Sequence, residues 1–187
     1  MSADTASELA LRRLSALPHP MLWVLAARLK TLSLSLVPVA TGTWAAAMLL
    51  SRWSLGVMLA AMGAAALIQI GTNLWNDAAD GVAGADGAAR LGPARMTGLG
   101  LLDAGKVRLG ATLAFAGAAL LGLWLSLVGG PRIIGVGMVS LALGYAYSMG
   151  PRPLSHTPAG ELLVVAFFGI VAVAGTVFLH AQATGAA

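Results

Sequence analysis

Hydrophobic positions along this chain do not alternate with polar ones; they gather into long blocks separated by short polar connections. Five blocks stand out: about Met21 or Thr31 to Leu50, Trp53 to Asn76, Leu109 to Gly130, Ile133 to Met149 and Leu162 to Leu179. Trp53 to Asn76 contains no charged residue. Its length suits a bilayer crossing, which takes about 20 apolar residues at about 1.5 Å of rise each. The pattern therefore predicts an all-α integral membrane helical bundle of about five transmembrane helices. Pro38 lies inside the first block, where a kink is expected and tolerated if packing or water satisfies the released carbonyl. Small residues at four-residue spacing, as at Gly110, Ala114 and Ala118, let helices approach closely where hydrophobic burial cannot drive their association. Residues 1–20 lack a long apolar run and read as a cytoplasmic arm, amphipathic or disordered. They also lack the basic flank, apolar core and small-residue cleavage site of a signal peptide.

The second block is not apolar all round where it ends. Gln69, Thr72, Asn73, Asn76, Asp77 and Asp80 recur at spacings of three and four, so on a helix they share one face. The stretch from Asn73 to Arg95, NLWNDAADGVAGADGAARLGPAR, adds Asp86, Arg90 and Arg95. The connection from Asp77 to Lys106 is longer than the roughly 2 to 8 residues usual between bundled helices, and such length marks function or disorder.

Composition supports the membrane reading: 58% of residues are hydrophobic, 10% are charged and the mean hydropathy is +0.85, whereas soluble domains carry about 25% charged residues. The absence of cysteine excludes disulfides and thiolate metal sites. A net charge of +4 does not indicate nucleic acid, because the basic residues flank apolar blocks instead of forming a soluble basic face. With the N-terminus in the cytoplasm, Arg12, Arg13, Arg28, Lys30, Arg90, Arg95, Lys106, Arg108 and Arg152 fall on one side. Only Arg52 and Arg132 fall on the other. The positive-inside rule then puts the acidic loop on the cytoplasmic side of the cell inner (plasma) membrane.

Asn76, Asp77 and Asp80 supply hard oxygen ligands of the kind that bind Mg²⁺, an ion that commonly bridges carboxylates to substrate phosphates. Asp86 could approach from the loop, and Arg90 and Arg95 could hold diphosphate oxygens bidentately. Together they outline a site for a magnesium diphosphate. The competing reading is that the acids merely cap a helix at the water boundary and pair weakly with the arginines, for about 0–1 kcal/mol. Gln69, Asn73 and Asn76 lie deeper than a cap requires, and polar residues within a span mark a pathway or site. Arg28 and Lys30 either snorkel to lipid headgroups or bind diphosphate on the same membrane face. Arg152, in GPRPL, faces the same choice. Tyr145 and Tyr147 are either interfacial anchors or border a cation or an aromatic substrate. His156 and His180 form no metal-ligand spacing and are assigned no function.

Four stretches in this order carry a resemblance: ARLKTLSLSLVPVATGT, QIGTNLWNDAADGVAGAD, RLGPARM and GYAYSMGPRPLSHTPAGELLVVAFFG. The chain resembles the UbiA-type membrane prenyltransferases. RLGPAR and GYAYSMGPRPL favour the MenA branch, whose members prenylate 1,4-dihydroxy-2-naphthoate on the way to menaquinone. The resemblance implies an intramembrane helical enzyme that binds a polyprenyl diphosphate through Mg²⁺ and joins the prenyl group to an aromatic acceptor. Asn76, Asp77, Asp80 and Asp86 would form the first Asp-rich motif, with Asp77 and Asp80 catalytic. Asn73, Arg28, Lys30, Arg90, Arg95 and Arg152 would bind the diphosphate, and Tyr145 and Tyr147 would line the cation. Ala78 stands where an aromatic residue often follows the Asn-Asp pair, and Arg152 where lysine is often found. Family members are longer and carry a second Asp-rich motif in their later half. Residues 21–187 are accordingly expected to be part of such a membrane domain. A second polypeptide supplying further helices is an expected partner, and a subunit that binds diphosphate lipid without turnover is the alternative function.

Overall fold

Pro18 and Pro20 set the start of the first long helix. Pro18 occupies the N-cap with extended backbone, and Pro20 sits in the first turn, where a missing N–H leaves no hydrogen bond unmade. The computed structural model describes residues 9, 11–82, 94–148 and 157–185, without the side chains of 80–82, 141 and 144–148. Helix α1 is His19–Ala27, and it ends because Arg28 turns into the left-handed region, at φ 51 and ψ 52, and donates its backbone N–H to the Leu25 carbonyl (3.1 Å). A 3₁₀ turn, Leu29–Thr31, leads into α2, Leu32–Leu50. Pro38 lies within α2, so the interruption of the first apolar block falls at Arg28 to Thr31, ahead of the proline.

The chain continues as α3, Leu55–Val82, α4, Ala104–Gly129, and α5, Pro131–Ser148. It then forms α6, Pro158–Val164, a π-helical stretch, Val165–Val171, and α7, Ala172–Thr184. Among the described residues there is no strand. Among the described residues, four helical spans are long and apolar enough to cross a membrane: His19–Leu50, Leu55–Ala79, Ala104–Gly129 and Pro158–Thr184. Where the sequence places a further crossing, Pro131–Ser148 is a helix of 18 residues. The fold is an all-α membrane helical bundle.

Side-chain size is inverted relative to a water-soluble bundle. Buried positions are dominated by alanine, among them Ala26, Ala46, Ala60, Ala61, Ala78, Ala111, Ala114 and Ala118. Leu49, Leu120, Leu162 and Leu127 (79% exposed) point outward. Lipid tails are as apolar as leucine, so large side chains gain nothing by leaving them, while small ones let backbones pack closely.

The chain forms two compact units, Met1–Leu29 with Ile70–Leu113 and Lys30–Gln69 with Ala114–Ala187. In the first, a Cβ added at Gly110 would stand 2.8 Å from the Trp23 ring, so α1 lies against α4 at a position without a side chain. In the second, α2 meets α7 at Gly42, where a Cβ would fall 2.7 Å from both Thr176 Cβ and the Val173 carbonyl oxygen. Two turns of α2 and α7 are further joined by His180, which is fully buried. Its Nδ1 accepts the Ser54 backbone N–H (3.1 Å), and its Nε2 lies 3.1 Å from the Thr43 hydroxyl. A ring nitrogen that accepts carries no proton, so the neutral ring bears its proton on Nε2 and donates it to Thr43. Ser54 Oγ in turn accepts the Val57 N–H (3.4 Å), capping α3. The same unit contains an apolar cleft of about 420 Å³ lined by Val39, Ala61, Ala65, Ala118, Met138 and Phe167 among others.

A side chain at Gly42 would press on the backbone of α7, and overpacking of this kind costs about 1–3 kcal/mol. Gly42→Val is expected to lower the thermal unfolding temperature of the detergent-solubilised chain by several degrees. Gly122→Ala, at a position where a Cβ meets nothing within 4 Å, should leave it unchanged.

Candidate functional site

The polar end of α3 is built from pairs of residues one helical turn apart. Asn73 and Asp77 form the inner pair, 7% and 1% exposed. Asn73 Nδ2 donates to the Ala27 carbonyl at 2.9 Å. That carbonyl belongs to the last turn of α1, where a helix leaves acceptors without an internal donor. The bond fixes the end of α1, and Arg28 follows it directly.

Asp77 reaches in the other direction along the chain. Its Oδ2 accepts the Met96 N–H (3.0 Å) and its Oδ1 accepts the Thr97 N–H (3.0 Å). The Thr97 hydroxyl lies 2.9 Å from Oδ1 and also against the Asp77 carbonyl oxygen. Hydrogen bonds to an ionised acceptor are roughly twice as strong as neutral ones. The turn they hold is knitted internally: Leu99 N–H to Arg95 O (3.0 Å), Gly100 N–H to Thr97 O (3.0 Å) and Leu101 N–H to Met96 O (2.9 Å). Gly100 has φ 70, which glycine adopts without steric cost. Arg95 is 6% exposed at the start of this turn. At its end Asp103 caps α4, its Oδ1 accepting the Lys106 N–H (2.8 Å).

Two arginines are thus tied to one helix end, Arg28 through Asn73 and Arg95 through Asp77. In the other unit, one turn earlier on α3, Gln69 Nε2 donates to Thr31 Oγ1 (3.2 Å). Lys30 is exposed in the 3₁₀ turn. Asn76 is half-buried on α3. Asp80 lies in α3, and Tyr145 and Tyr147 lie in α5, with side chains that are not described. Asp86, Arg90 and Arg152 lie outside the described residues. Among the described residues no three His, Cys, Asp or Glu side chains come together to hold a metal.

Sequence reasoning passed over Ala27, Met96, Thr97 and Asp103. The last was legible, since an aspartate three residues before Lys106 at the head of an apolar block is an N-cap signal. Met96 and Thr97 carry no local signal, because what they bind is some 20 residues earlier.

The sequence pattern of the UbiA prenyltransferase family matches residues 35–187. The chain belongs to the UbiA prenyltransferase family. Among its UbiA relatives, the 1,4-dihydroxy-2-naphthoate octaprenyltransferase of Mycobacterium tuberculosis is 40% identical over 159 residues, which are 85% of this chain and 54% of the relative. The proteins of the same name from Bacillus subtilis and Escherichia coli are 36% and 31% identical, over 86% of this chain and 51% and 54% of their own lengths. The chain spans about half the length of the curated relatives it matches. No solved structure matches it. The resemblance drawn from the four sequence stretches is borne out, both for the family and for the naphthoate branch.

Replacing Asn73 with leucine removes the donor from a buried carbonyl, which costs about 1–3 kcal/mol. Asn73→Leu is expected to lower thermal stability in detergent and to speed native-state tryptic cleavage after Arg28. An unchanged cleavage rate would show that the end of α1 is held by something else.

Proposed function

We propose that this chain carries the diphosphate-binding part of a membrane prenyltransferase. The enzyme transfers a polyprenyl group from a polyprenyl diphosphate to an aromatic acceptor, 1,4-dihydroxy-2-naphthoate, in menaquinone biosynthesis. The observation that carries this reading is the attachment of Arg28 and Arg95 to the one helix end that also bears Asn76, Asp77 and Asp80, in a chain of the UbiA family. The names of the relatives specify the acceptor and an octaprenyl donor for those proteins.

The donor set fits Mg²⁺. Amide and carboxylate oxygens are hard ligands, and Asn76 and Asp80 share a helical stripe by their four-residue spacing. Asn76 and Asp80 from α3 and Asp86 from the loop would hold the ion. When bound, it supplies positive charge to the oxygens of the departing diphosphate.

The chain's own residues do the rest. Arg28 and Arg95, with Lys30, Arg90 and Arg152, bind the diphosphate oxygens, and guanidinium forks suit them bidentately. Asn73 orients Arg28 through the backbone. The allylic C–O bond breaks, its electron pair leaving with the diphosphate. A new C–C bond forms on the acceptor ring, and the ring carboxylate departs as carbon dioxide. Tyr145 and Tyr147 are the aromatic residues assigned to the allylic cation, since aromatic rings attract positive charge. Apolar surroundings would exclude the water that quenches such a cation. The site faces the cytoplasm across the inner membrane, as the distribution of basic residues indicates.

Detergent-solubilised chain titrated with inorganic pyrophosphate is expected to bind it in the presence of Mg²⁺ and much more weakly without. Asp80→Asn should raise the Mg²⁺ concentration for half-saturation roughly tenfold, the scale of one lost interaction with a charged group. Binding that ignores both Mg²⁺ and this substitution would sink the proposal.

A further inference from the structure

The acidic end of α3 presents two stripes. Asn73 and Asp77 occupy one, buried and hydrogen-bonded to backbone. Asn76 and Asp80 occupy the adjacent one, about 60° away around the helix at 3.6 residues per turn. We infer that these stripes divide the work: Asp77 is a positioning residue that latches the Arg95 turn to α3, with Thr97 as its counterpart, and metal binding belongs to the Asn76 and Asp80 stripe. The inference rests on the proposed diphosphate site and assigns to Asp77 a role within it other than that of principal metal ligand.

Three observations carry it. Both carboxylate oxygens of Asp77 already accept backbone N–H groups, and they do so at 1% exposure. A ligand role using both oxygens would strip donors from Met96 and Thr97 and leave buried N–H groups unpaired, which costs more than the bond itself is worth. The amides held are those of the two residues directly after Arg95, so the latch fixes the backbone from which the guanidinium projects. Finally, Thr97 addresses α3 twice, its hydroxyl lying against the Asp77 carbonyl oxygen and against Oδ1. A threonine that reads both the main chain and the side chain of one residue fixes the register of the turn on the helix as well as its distance.

The carboxylate matters here because both atoms must accept. In Asp77→Asn one oxygen becomes an NH₂ that faces a backbone N–H, donor against donor. Thr97→Val removes the hydroxyl and keeps the branched shape, whereas Thr97→Ser restores the hydroxyl.

The test combines hydrogen exchange with pyrophosphate binding on the detergent-solubilised chain. The Met96 and Thr97 amides should exchange slowly in the wild type and at least roughly tenfold faster in Asp77→Asn, as expected for loss of a bond to a charged group. Asp77→Asn and Thr97→Val should each weaken pyrophosphate binding at saturating Mg²⁺ and leave the Mg²⁺ concentration for half-saturation unchanged. The double variant should be no worse than the poorer single one, because both remove the same latch, and Thr97→Ser should bind like the wild type. The inference is overturned if Asp77→Asn shifts the Mg²⁺ requirement as Asp80→Asn does while Thr97→Val binds normally. If the wild-type chain binds no pyrophosphate, the diphosphate reading fails, and exchange alone decides the latch. Fast exchange at Met96 and Thr97 in the wild type, or exchange unaltered by Asp77→Asn, then overturns it.

Discussion

A carboxylate with 1% of its surface exposed can remain on a membrane helix only if its charge is met inside the protein. An uncompensated ion in a low-dielectric interior costs several kcal/mol, and around Asp77 the compensation comes from the Met96 and Thr97 amides and the Thr97 hydroxyl. Those donors are the beginning of a turn that closes on itself through Leu99, Gly100 and Leu101 and runs into the Asp103 cap of α4. Asn73, one turn back, does the same for α1 through the Ala27 carbonyl. The geometry of the first unit therefore follows from two adjacent polar side chains finding backbone partners in two distant segments.

The second unit obeys the same rule with a different residue. In lipid every backbone polar group needs an internal partner. The N–H of Ser54, ahead of the first turn of α3, finds one in the His180 ring, which also engages Thr43. Around these polar nodes the interior is filled with alanine and glycine instead of leucine. Small side chains bring helices close enough for a single imidazole to span from α7 to α2 and to the start of α3.

How much of this the sequence reveals depends on how local each cause is. The apolar blocks locate the helices because length and hydropathy are properties of a segment. The Asn73 and Asp77 spacing reveals a shared buried face for the same reason. What that face holds is not local: its partners lie 46 residues earlier and about 20 later, and neither Ala27 nor Thr97 has a chemistry that advertises the contact. Pro38 is where the sequence leads one to expect a kink, and it lies within α2. The break between helices comes at Arg28, which has a left-handed backbone and follows the carbonyl held by Asn73. His180 has no metal-ligand spacing and so carries no assigned function in the sequence, whereas its role is to accept a main-chain N–H. Recognition of the family needed none of these contacts, since it rests on stretches of residue identity.

The residue types at the helix end follow from the polarity of what they meet. A carbonyl at Ala27 requires a donor, which the Asn73 amide supplies and a carboxylate could not. Two N–H groups at Met96 and Thr97 require two acceptors, which Asp77 supplies and an amide could not. Arg28 is the exception that local chemistry does not account for. Its φ of 51 is a conformation glycine takes freely and other residues adopt at a cost of about 1 kcal/mol or more. Glycine would end α1 there with less strain. Arginine in its place puts a cation at the point where Asn73 holds the chain against α3, one helical turn from the carboxylate that holds Arg95. On the proposed reading that charge serves the diphosphate, the anion that guanidinium groups and hard oxygen ligands are suited to bind.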